Sequence, residues 1–100
     1  MLHILAENVL LENILSLSFI YYHFVQHKNI IGPRVKEARK GAGVTQADLA
    51  AQLQVMGITV DRSAIAKIET GRRPISDIEA AAISKILKVK IDWLFAEHGE

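Results

Sequence analysis

Val44-Thr45-Gln46-Ala47-Asp48-Leu49-Ala50, followed downstream by Ile65-Ala66-Lys67-Ile68-Glu69-Thr70-Gly71, is the part of this 100-residue chain whose reading decides the fold. Thr45 suits an N-cap, because its hydroxyl can accept from the unpaired N–H groups of a first helical turn. Beyond it Leu49, Leu53 and Met56 recur at i, i+4 and i+7 with Ala50 beside them, so that face is expected to turn inward. Gly57 is placed to end the helix. Ile58-Thr59-Val60 is β-branched and is expected to be an extended connector. Asp61 then caps a helix from Arg62 to about Thr70, and Gly71 stops it. Ala64, Ile65 and Ile68 make its apolar side, which leaves Arg62, Ser63, Ala66 and Lys67 facing outward. That face is short, polar and basic. Taken by itself it would be read as a solvated surface.

The flanks follow the same helical grammar. Upstream, Pro33 suits a first helical turn, since its missing N–H would be unpaired there anyway. The helix from Pro33 to Lys40 turns Val35 and Ala38 inward and Lys36, Glu37 and Lys40 outward, and Gly41 and Gly43 end it. Downstream, Ser76-x-x-Glu79 is a capping box ahead of Ile78, Ala82 and Ile86, which recur every four residues. A last short helix around Asp92-Trp93-Leu94-Phe95 is expected to lay Trp93 or Phe95 against the core. No strand pair or repeat competes. The expected class is all-α, a compact bundle of five short helices.

Composition narrows the chemistry. Cysteine is absent, which excludes disulfides, thiol nucleophiles and cysteine-ligated metals. The histidines His3, His23, His27 and His98 are scattered, so no metal site and no cofactor is expected. The formal net charge is only +1, but residues 28–75 carry nine bases against four acids. An anionic partner belongs there. No catalytic constellation is legible. Asp77 and Glu79 are accounted for by a helix N-terminus, and Glu97 with His98 lies at a chain end. The chain is not expected to be an enzyme.

Residues 1–30 differ from the rest. Residues 1–27 hold no Lys or Arg, and Asn13 to His27 runs without a formal charge. A membrane-spanning helix needs about 20 apolar residues, a length reached here only by including Glu7 and Glu12. Three readings fit: a helix packed on the domain or on a partner subunit, a membrane anchor, or upstream sequence translated from an early start, with Val25 as the natural initiator. The expected organisation is therefore an apolar extension (1–30), a domain (31–95) and a tail (96–100). A chain cut to begin at residue 30 is expected to fold and to bind its partner.

Thr45-Gln46-x-x-Leu49-Ala50 and Ile65-x-x-Ile68-Glu69-x-Gly71, in that order, resemble the phage repressor and Cro-like (XRE-type) helix-turn-helix family, over about Ile31 to Phe95. The resemblance implies a sequence-specific DNA-binding regulator, acting in the cytoplasm as a homodimer on double-stranded DNA. By position it implies that Arg62, Ser63, Ala66 and Lys67 face base edges. Gln46, Thr70, Arg72 and Arg73 match phosphate-contacting positions, with Gln46 also bracing the recognition helix. Arg39 and Glu69 match an ion pair that joins the first and third helices and orients the recognition helix. The chain departs from the family in one respect: Thr45 to Glu69 spans 24 positions, about five more than usual. The surplus falls between Leu53 and Asp61, where a longer second helix through Met56 and a return through Ile58 to Val60 would absorb it. A reading from another class stands beside this one, a membrane-tethered or protein-interaction module whose working part is the apolar first segment.

Overall fold

The computed structural model describes residues 16–18 and 27–96. The packed-helix, anchor and early-start readings of the first segment fall mostly outside them, as does most of the tail. Among the described residues from 27 to 96, five helices follow one another: α1 (Gly32–Gly41), α2 (Gln46–Val55), α3 (Arg62–Glu69), α4 (Asp77–Leu87) and α5 (Ile91–Leu94). There is no strand among the described residues.

The caps work as the sequence implies. The Thr45 hydroxyl accepts from the Asp48 N–H, and the Asp48 carboxylate accepts in return from the Thr45 N–H. The Thr45 N–H bonded to it, with the Thr45 hydroxyl helping, holds the Asp48 carboxyl below its ordinary pKa. Asp61 accepts from the Ala64 N–H, and Ser76 and Glu79 close a second capping box at α4. Gly43, Gly57 and Gly71, which follow α1, α2 and α3, have positive φ values of 70°, 83° and 74°, a backbone region that other residues rarely adopt.

The core gathers Ile31 and Val35 ahead of and within α1, Leu49, Ala50 and Leu53 from α2, Ile65 and Ile68 from α3, Ala80, Ala82, Ile83 and Leu87 from α4, and Leu94 from α5. Burying one such Leu, Ile or Val contributes about 1.5–3 kcal/mol. An eight-residue helix like α3 is marginal alone, so this apolar contact is what keeps it formed.

Two expectations about faces are corrected. Met56 does not continue the buried stripe: it is the C-cap of α2 and 48% exposed. Ile78 is 68% exposed, because the inward face of α4 runs through Ala80, Ile83 and Leu87 instead. At α5 Leu94 fills the core and Trp93, as expected, packs against it, while Phe95 stays 49% exposed. Trp93 is half-buried under the Arg34 guanidinium, whose carbon lies 4.7 Å from the ring centroid, a cation–π contact that ties α5 to α1.

The surplus residues between α2 and α3 fold down rather than project. The helix ends at Val55, short of Met56, and the Ile58 N–H returns to the Leu53 carbonyl. The Gln54 amide donates to the Val60 carbonyl at 2.9 Å, and the Val60 side chain is buried.

Residues just ahead of residue 30 also bond to the bundle. Asn29 is buried, with Nδ2 donating to the Ile68 and Arg73 carbonyls at 3.0 and 2.8 Å and Oδ1 accepting from the Gly32 N–H at 2.8 Å. The Lys28 N–H donates to the Gly71 carbonyl at 2.8 Å. Residues 28 and 29 are thus hydrogen-bonded into the bundle.

Candidate nucleic-acid interface

α2 and α3 form a helix-turn-helix whose geometry starts from the buried pair beneath it. Arg39 of α1 donates from Nε to Glu69 Oε2 at 2.6 Å and from Nη2 to Oε1 at 3.1 Å, while its Nη1 donates to the Val44 carbonyl. The Glu69 side chain is 2% exposed. Bidentate pairing of this kind fixes orientation as well as energy, and it raises the Arg39 pKa. The second partner of Glu69 is the Gln46 amide, which donates to Oε1 at 3.1 Å. Gln46 at the start of α2 is thereby locked onto the last turn of α3.

With its inner side spent on Ile65, Ile68 and Glu69, α3 turns Arg62, Ser63 and Lys67 to the outside, and Ala66 lies half-buried beside them. Gln46, Asp61, Arg62, Ser63 and Ala66 line one shallow cleft at the N-terminal end of the helix. A second, adjoining cleft is shared by Arg39, Lys40, Thr45, Gln46 and Arg62, among others. The N-termini of both helices, with Gln46 and Arg62 common to the two clefts, therefore open on one concave basic surface.

At the other end of α3 the Thr70 hydroxyl donates toward the Ala66 and Lys67 carbonyls and accepts from Arg72 Nε at 2.9 Å. Arg72 is exposed. Arg73 differs from it, because its guanidinium makes a bidentate pair with Glu79 (3.2 and 2.9 Å) and also reaches the Pro74 carbonyl. The Arg73 bonds are the main cause holding the Glu79 carboxyl below its ordinary pKa of 4.5, with the Ser76 N–H helping. The same pair raises the Arg73 pKa.

Sequence reasoning missed two residues. The sequence marks Glu79 as a cap alone, and nothing in a spacing of six residues across a turn announces its pairing with Arg73. Asn29 carried one signal only, a short polar side chain just ahead of Ile30-Ile31-Gly32-Pro33. No helix among the described residues is long and apolar enough to cross a membrane.

The helix-turn-helix family profile matches residues 35–94. Among solved structures, the restriction-modification controller protein C.AhdI from Aeromonas hydrophila superposes with a TM-score of 0.56 at 29% identity, covering 65% of this chain and 87% of that one. No curated protein matches the sequence. By that profile and by the joined geometry of α2 and α3, the chain belongs to the XRE-type helix-turn-helix family and is a DNA-binding transcriptional regulator.

Proposed function

We propose that the chain binds a specific duplex DNA sequence as a homodimer, with the outer face of α3 in the major groove. The observation that carries this reading is the concave surface where Gln46 and Arg62 meet, exposed and basic at the N-terminus of a helix whose other side is fully committed to the core. A helix fits the major groove, where Arg62 and Lys67 can donate to guanine, Ser63 can bond to either partner, and Ala66 can meet a thymine methyl. Thr70 and Arg72 would hold the flanking phosphates, with Gln46 at the opposite end of the motif. Arg73, already paired with Glu79, would add charge to that loop more than a direct bond.

Two recognition helices spaced by one turn of DNA, about 34 Å, would read a two-fold site. The exposed Ile91 and Phe95 of the α5 region offer an apolar patch for the pairing of two copies. Such a regulator works where its DNA is, in the cytoplasm, and as a binding protein rather than an enzyme.

Fluorescence anisotropy with labelled duplex DNA tests the reading. Affinity is expected to fall steeply with salt, and Arg72→Ala to flatten the log–log slope by about 0.9 for the phosphate contact removed. The same variant is expected to weaken binding about equally on all sequences. Absence of salt-dependent binding would overturn the reading.

A further inference from the structure

We infer that Asn29, upstream of the family-matched stretch, is a positioning residue for DNA binding: it sets where Arg72 meets the phosphate backbone. The inference rests on the proposed role of the loop after α3 and deepens it. The Gly71–Arg73 segment is fastened at three points. The Gly71 carbonyl accepts from the Lys28 N–H, the Arg73 carbonyl accepts from Asn29 Nδ2, and the Arg73 guanidinium is pinned by Glu79. Arg72 lies between the two fastened carbonyls and is the residue left pointing outward.

Asn29 does more than hold one end of this loop. Its second Nδ2 bond goes to the Ile68 carbonyl in the last turn of α3, and its Oδ1 takes the Gly32 N–H that opens α1. One buried amide therefore fixes the recognition helix, the loop after it and the first helix relative to one another. Every hydrogen-bonding direction it uses goes to backbone, so no change of neighbouring side chains can replace it. Gly32 shows how close this junction is, since a Cβ there would land on the Ile68 carbonyl oxygen.

A purely structural asparagine and a positioning one differ in what they do to the grip on phosphate. The test measures salt-dependent binding of the full chain to labelled random-sequence duplex, below the melting temperature of every variant. Asn29→Ala, Arg72→Ala and the double variant make a cycle, with Leu87→Val as a core change that lowers stability far from the loop. Asn29→Ser, which keeps a hydroxyl near the Gly32 N–H but is too short for both carbonyls, serves in the cycle if the alanine variant does not fold.

The expected result is that the Asn29 variant flattens the log–log slope by up to about 0.9, and that Arg72→Ala then costs little more. Leu87→Val should keep the full slope. If Arg72→Ala flattens the slope equally in both backgrounds and the Asn29 variant by itself leaves it intact, the inference falls while the phosphate reading stands. If Arg72→Ala has no effect on the slope at all, the phosphate reading falls and takes the inference with it.

Discussion

Removing the Glu69 carboxylate would strand the Arg39 guanidinium in a nearly dry site and free the Gln46 amide at the same time. Breaking a buried pair in this way costs about 3–5 kcal/mol, so Glu69→Ala is expected to lower the melting temperature sharply. Arg39→Met with Glu69→Leu should recover part of the loss, not all, because the Val44 carbonyl would still lack its donor. Calorimetry of wild type and the two variants checks this. Glu79 makes a second residue-scale prediction. Its folded pKa is lowered, so its contribution to stability is fully present above the ordinary glutamate value of 4.5 and is lost as pH falls through the folded one. Melting temperatures of wild type and Glu79→Gln are therefore expected to differ at neutral pH and to converge in acid. The identities of Arg39 and Glu69 were legible because both are charged residues in a motif. Asn29 and the second role of Glu79 were not, because each acts through backbone or through a loop that only the closed bundle brings near.

Two glycines of α1 separate what a helix tolerates from what its neighbours tolerate. At Gly41 a Cβ would meet nothing within 4 Å, so Gly41→Ala is expected to stabilise by about 0.4–1 kcal/mol through the unfolded chain alone. At Gly32 the same methyl would strike the Ile68 and Glu69 backbone, where no side chain can swing away. Gly32→Ala is expected to destabilise by at least about 1–3 kcal/mol, and urea denaturation of both variants would give the two signs. Helix positions were readable from caps, since Thr45, Asp61 and Ser76 each act within three residues of themselves. Helix faces were less so. Ile78, Ala82 and Ile86 recur every four residues, but Ile78 sits in the first turn of α4, beyond the reach of the core, and the smaller Ala80 takes the inward place. Met56 failed for a related reason, since the chain had already left the helix at Val55.

At the scale of the molecule, residues 28 and 29 share the hydrogen bonds of the domain. A chain beginning at residue 30 lacks the Asn29 and Lys28 bonds, each worth about 0.5–1.5 kcal/mol. It is expected to melt below a chain beginning at residue 27 by at least about 4–8 °C, the shift that about 1 kcal/mol makes in a domain this small. Circular dichroism of the two checks it, and equal melting temperatures would support the boundary at 30/31. The same bundle sets the division of labour along α3, whose inner side holds the core while Arg62 and Lys67 stand clear of it. The most direct measurement of that division is selection of bound sequences from a random duplex library by wild type, Arg62→Ala and Lys67→Ala, with melts alongside. The account predicts unchanged melting temperatures and an altered or relaxed preference at the positions each residue reads, a loss of about 1–3 kcal/mol of discrimination per contact. Recovery of one and the same sequence by all three proteins would contradict it.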